Sequence, residues 1–185
     1  RIIGGSFSNN GQFLANSAGI NIFATNASNV LLNVVGAPLN NDFSVPATQA
    51  DGLRISSNFA SLVTANLDGV DLTSNLDNAV DATVATNGAA IVNLVNSDGS
   101  FSGFSGVRID AQTGGQLQVS ADATPFFLSG ANGIDAFVRS DADVLVNFRN
   151  GSDILLSGQN GVMVDIADAG STFVGQFNDV NVSEN

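Results

Sequence analysis

Short apolar-polar-apolar triplets run along the chain, and polar turns separate them. Examples are Ile20-Asn21-Ile22, Leu53-Arg54-Ile55, Val107-Arg108-Ile109 and Leu117-Gln118-Val119. Alternation with a period of two predicts β-strands with one buried face. The triplets fall into three series. The first is anchored at Leu53, Val80, Val107, Ile134 and Val162, with separations of 27, 27, 27 and 28 residues. The second passes through Leu31, Val63, Val92, Gln118, Leu145 and Val174, and the third through Phe43, Val70, Phe101, Phe126, Ile154 and Val180. A fixed period of tens of residues signals stacked repeats, and connections this short exclude crossover helices. The predicted fold is therefore all-β: a right-handed parallel β-helix of about six three-stranded coils, with roughly 27 residues per coil. Phe13 is a candidate to close a coil ahead of the series. A Greek-key sandwich has a similar density of turns but does not require three series to recur in register.

A glycine or asparagine precedes the first strand of each coil, at Gly19, Gly52, Asn78, Gly106, Gly133 and Gly161. Both residue types tolerate positive φ, so this column is expected to be a left-handed corner. The openings Asp51-Gly52-Leu53, Asn132-Gly133-Ile134 and Asn160-Gly161-Val162, the Asn-rich corners and the lack of cysteine resemble right-handed parallel β-helix repeats of large bacterial surface proteins. Planctomycete giant proteins and autotransporter passenger regions are of this type. The resemblance covers residues 19–185 and implies an extracellular or cell-surface location. Members of that superfold include adhesins, fibres and polysaccharide lyases, so it implies fold more than activity. The strand-like opening at Arg1-Ile2-Ile3 and the stop just after a strand are expected to be cuts, making 1–185 one β-helix segment of a longer repetitive chain.

In a solenoid, residues one period apart become neighbours, so outward positions form columns. Arg54, Asp81, Arg108 and Asp135 alternate in sign and are expected to make a salt-bridge ladder that fixes register, or else a charged binding face. Leu31, Val63, Val92, Leu145 and Val174 are expected as an outward apolar stripe. It is open to lateral packing against another rod, unless a loop of the same chain covers it or the strand phase is off by one. Asp68, Asp98, Asp122, Asp153 and Asp179 precede third-series strands. They are either ordinary turn formers or carboxylates shared between coils as Ca2+ ligands. The Ca-binding nonapeptide of β-rolls is absent.

Composition narrows the chemistry. The net charge is −12, and all five basic residues are arginine. This disfavours nucleic acid and anionic membrane surfaces as partners and favours divalent cations. No apolar run is long enough to insert in a bilayer. The absence of cysteine removes disulfides and thiolate chemistry. Asp141, Asp143 and Arg139, with Asp165 and Asp168 one coil on, are the best candidates for a carbohydrate-active site. Against catalysis, there is no His or Lys for proton transfer near neutral pH and no Trp or Tyr to stack sugar rings. The longest excursion between strands is 34–49. The Gly-rich stretch 99–106 lacks the Gly-Lys-Ser/Thr of a phosphate loop. The expectation is a structural fibre or adhesin segment with no catalytic residues and no cofactor beyond the Ca2+ candidates. It would associate with itself laterally or end to end, or with surface proteins or glycans. The alternative is a polysaccharide lyase- or glycosidase-like β-helix enzyme or a glycan-binding module.

Overall fold

The computed structural model describes residues 2–3, 17–36, 50–73 and 75–183. The candidate coil closer Phe13, the triplet at Phe43 and most of the 34–49 excursion lie outside the described residues. Every regular element among them is a strand, and every strand pairing is parallel, which excludes the Greek-key sandwich. The chain forms a β-solenoid of about five turns with ~27 residues per turn.

The strands are numbered β1 to β16 in chain order and stack into three sheets. The six-stranded sheet is built from β2 (Ser17–Ala24), β4 (Ala50–Asn58), β6 (Val80–Ala85), β8 (Val107–Gln112), β11 (Asn132–Arg139) and β14 (Asn160–Ile166). The seven-stranded sheet holds β1 (Ile2–Ile3), β3 (Asn29–Val35), β5 (Leu62–Asp68), β7 (Ala89–Val95), β9 (Gln116–Asp122), β12 (Asp143–Arg149) and β15 (Thr172–Asn178). A short third sheet contains β10 (Phe126–Phe127), β13 (Ile154–Leu155) and β16 (Val182–Ser183), continued at its near end by a bridge between Asp71 and Asp98. Each strand bonds to its counterpart one coil away, so the ladders run along the rod and the chain runs around it.

The first series lies in the predicted register: Leu53 pairs with Val80, Val80 with Val107, Val107 with Ile134, and Ile134 with Val162. Side chains alternate across each strand, as the burial of β6 and β8 shows, so Val, Ile, Leu and Ala fill a narrow interior. Where the interior widens toward the third sheet, Phe126 and Phe148 stack with centroids 5.4 Å apart, and Phe177 meets Phe148 edge-on at 6.0 Å.

Two readings of the repeat are corrected. The first concerns phase in the second series. Val63 and Val92 are fully buried, because the inward columns are Val30, Val63, Ala90, Leu117, Val144 and Phe173 and, two residues on, Leu32, Ala65, Val92, Val119 and Val146. The outward column is instead Leu31, Thr64, Ile91, Gln118, Leu145 and Val174. In β5 and β7 the apolar run is longer than the alternation needs, and the triplets were centred one residue away from the true phase.

The second correction concerns the glycine column. Gly52, Gly106, Gly133 and Gly161 are not among the positive-φ residues, and neither are Gly19 and Asn78. These glycines begin strands and serve close approach. A Cβ on Gly133 would sit 2.0 Å from Ile154 Cγ2 and 2.6 Å from the Gly161 carbonyl. The residue level with them in the coil that lacks glycine is Ala79, not Asn78. Asn78 is level with Asp51 and donates to it from the next coil. The left-handed corners lie elsewhere. Pairs such as Thr86/Asn87 and Ser140/Asp141 turn the chain from the six-stranded to the seven-stranded sheet, and Gly69, Asn96 and Ala123 turn it onward. Phe101, Leu128 and Leu156 carry positive φ at the next turn.

Candidate functional site

The two large sheets present unlike outer faces. On the six-stranded sheet the outward residues are rich in charge. Asp81 lies between two guanidiniums, 3.6 Å from Arg54 and 3.0 Å from Arg108, which are its neighbours on the coils before and after. Arg54 also pairs with Asp51 within its own strand. The ladder then turns aside. Arg108 reaches Asp110 at 3.6 Å, and Arg139 of the next coil closes on Asp110 at 3.0 Å. Asp135, the expected next rung, is buried, and among the described residues its Oδ1 has no hydrogen-bond partner. Burial pushes its carboxyl above the usual range. Asp110 shares the Arg108 strand and pairs with its guanidinium, while no ion pair joins Arg108 to Asp135 among the described residues.

Beneath this ladder runs a polar column that the glycine reading obscured. Asn78 donates to Asp51 Oδ1 from its backbone N–H at 3.1 Å and from its side-chain amide at 2.9 Å. Ser105 N–H donates to Asn78 Oδ1 at 3.1 Å, and Asn160 donates to Asn132 at 3.0 Å. Asp51 is fully buried, and its carboxyl is pushed up to about 6, first by burial and then by the nearby Asp81 charge, against the opposing pull of Arg54 and Asn78.

The seven-stranded sheet carries fewer outward charges than the six-stranded one, and they sit at the ends of its strands. Its outer columns carry Leu31, Thr64, Ile91, Gln118, Leu145 and Val174 beside an amide column in which Asn93 donates to Asn66 at 2.8 Å and Asn66 to Asn33 at 2.9 Å. Leu31 is 66% exposed and Val174 48%. A shallow groove of about 650 Å3 follows this face along β5, β7, β9, β12 and β15, floored by Ala89, Ile91 and Leu145 and edged by Gln116 and Asp143. Its charged outward positions are Asp68, Asp122, Asp143 and Arg149, and Arg149 is paired with Asp122 at 2.9 Å.

The five candidate Ca2+ ligands do not share a column. Asp68 and Asp122 lie in one register with Val95 between them. Asp98 pairs with Asp71 on the third sheet, Asp153 accepts from Asn181 N–H at 2.8 Å, and Asp179 occupies a left-handed corner. Among the described residues no group of three or more acidic side chains is placed to hold a metal ion. The scatter in their sequence spacing reflects this division among different turns.

The acidic candidates for sugar chemistry are divided between corners, which hold Asp141 and Asp168, and strands, which hold Asp143 and Asp165. Asp168 accepts from the N–H groups of Ser140, Gly170 and Ser171, and the Ser140 bond foremost, with those from Ser171, holds its carboxyl below the usual range. Thr172 donates to Asp143 at 2.5 Å, and Arg139 is held by Asp110. Asp165 sits on edge strand β14, level with Phe137, while Asp141 is in a left-handed corner. Sequence reasoning also missed a hydroxyl column. Ser97, Thr124 and Ser152 accept backbone N–H groups from Val70, Ser97 and Thr124, at 3.1, 3.2 and 3.1 Å. Its visible trace in the sequence is a hydroxyl residue two or three positions after β7, β9 and β12.

No protein-family model matches the chain, and no curated protein or solved structure is significantly similar to it.

Proposed function

We propose that this chain is a structural segment of a large bacterial extracellular or surface protein of the planctomycete giant-protein or autotransporter-passenger type. It acts as a stiff rod that associates laterally with a second copy through the outer face of its seven-stranded sheet. The observation that carries this reading is the asymmetry of charge on a molecule with net charge −12. Like-charged rods repel, and the face on which two copies meet at least cost is the one with few charges. Strands β3 to β15 of that face cover roughly 25 Å by 23 Å at standard strand spacings, so a pair buries on the order of 1,200 Å2, the lower end of specific interfaces. The amide column offers hydrogen bonds that need no counterion.

Sedimentation tests the reading. The wild-type chain is expected to form dimers whose population rises with salt, because salt screens the residual repulsion. Ile91→Glu and Leu145→Glu, both outward substitutions, should leave a folded monomer. A wild-type chain that stays monomeric across concentration and salt overturns the proposal.

A further inference from the structure

A second recess, of about 390 Å3, opens beside the six-stranded sheet between two successive corners. Leu76, Asp77 and Asn78 come from the turn before β6, and Phe104 comes from the turn before β8. Arg54, Asp81 and Arg108 form its charged wall. The volume lies within the range of about 300–1,000 Å3 usual for small-molecule sites.

The recess is fixed in shape before any ligand arrives. Phe104 N–H donates to the Asp77 carbonyl at 2.8 Å, and Gly103 N–H donates to the Asn75 carbonyl at 2.8 Å, so the two corners are laced together. A side chain at Gly103 would collide with the Leu76 carbonyl, at 2.3 Å from a built Cβ. Asn78 is held at both ends of its amide, by Asp51 and by Ser105. The guanidiniums are clamped as well, Arg54 by Asp51 and Asp81, and Arg108 by Asp81 and Asp110.

Three chemical features restrict what fits. First, the charges balance: two guanidiniums face two carboxylates, so neither an anion nor a cation enters without meeting its own sign. Second, donors and acceptors are mixed. Arg108 keeps N–H groups beyond those that bond Asp81 and Asp110, because a guanidinium has five. No hydrogen bond or ion pair from a described residue reaches the Asp77 carboxylate. Burial and then Asp81 push that carboxyl above its usual range, so a hydroxyl donor would relieve it. Third, Phe104 is 56% exposed and stands with Leu76 as an apolar wall against polar partners. A hydroxyl both donates and accepts, and the C–H face of a pyranose ring is apolar.

We propose that this recess binds a neutral sugar ring, with Phe104 against its C–H face, Asp77 accepting from ring hydroxyls and Arg108 donating to them. The site does not depend on lateral association, since that contact uses the other large sheet.

The test is a titration of the 15N-labelled chain with glucose, galactose, mannose and N-acetylglucosamine, with sodium acetate and ethylammonium chloride as charged controls. At least one sugar is expected to give saturable amide shifts confined to 76–81 and 103–108, with a Kd of about 1–50 mM, typical of a single small ring. Phe104→Ala, at an exposed position, should weaken that sugar about tenfold. Asp77→Asn should weaken it as well while leaving the rest of the spectrum unchanged. Absence of saturable shifts with all four sugars overturns the proposal. So does an unchanged sugar Kd in Phe104→Ala, or tighter binding of acetate or ethylammonium.

Discussion

Asn78 gives the Asp51 carboxylate two hydrogen bonds to a single oxygen, across one coil of the rod. The pair joins two observations. It ties the buried polar side chains of adjacent coils together, and it places an ionisable group inside a stack that is otherwise neutral.

That placement has a pH signature. The Asp51 carboxyl sits at about 6 in the folded chain against 3.8 for the unfolded group. Between these values the folded state holds more protons than the unfolded state, so stability falls as pH rises through the window and the penalty is complete above about 6. Asp77 and Asp135 shift in the same direction. Urea unfolding is therefore expected to show greater stability near pH 4.5 than at pH 7, with about 2 kcal/mol of the difference attributable to Asp51. Asp51→Asn keeps an acceptor for Asn78 and should flatten the slope. Identical slopes in the two proteins contradict the assignment.

The corrected strand phase makes a sharper forecast. Val63→Ser places a hydroxyl in a closed interior and should cost roughly 2–4 kcal/mol. Leu145→Ser, on the outer face, should cost less than about 1 kcal/mol. Equal losses in chemical denaturation would restore the uncorrected phase.

Glycine is required by crowding at one position and by backbone angle at another. Gly133→Ala drives a methyl into Ile154 and the Gly161 carbonyl, so it should destabilise by more than about 2 kcal/mol. Gly151 has φ +76 and open space around it, so Gly151→Ala should cost only about 1 kcal/mol. Thermal unfolding of the two variants separates the cases, and a reversed order refutes the crowding account.

Charge coupling is expected to follow the observed branch. A double-mutant cycle between Asp81 and Arg108 should give about 1 kcal/mol, because the pair is half-buried and close. The cycle between Arg108 and Asp135 should give less than the cycle between Arg108 and Asp110. A dominant Asp135 coupling would restore the straight ladder.

The contrast between Val107 and Val63 shows what could be read from sequence. Val107 lies in a clean triplet with a charged centre at Arg108, so its phase and register were legible from spacing. Val63 lies in a run where threonine and alanine serve either face, and alternation alone leaves two phases open. The glycines were legible as a column, but their cause was not. Crowding by Ile154 and by the carbonyl one coil on depends on how the sheets meet, and one strand carries no trace of that. The recess around Phe104 was invisible for the same reason. Its members come from three coils, and no local motif gathers Arg54, Asp77 and Arg108.

The repeat is strict in its strands and lax in its corners. From Val107 to Ile134 the period is 27 residues, whereas from Val144 to Phe173 it is 29, with one added residue absorbed between β12 and β13 and one between β14 and β15. Register survives because each strand finds its partner by contact, and the turn only has to deliver it. The corners are therefore the places where new sequence can be spliced into the rod. A peptide inserted at Ser140–Asp141 would project sideways from a shaft whose pitch and pairing stay as they were, turning the solenoid into a carrier with addressable positions along its length.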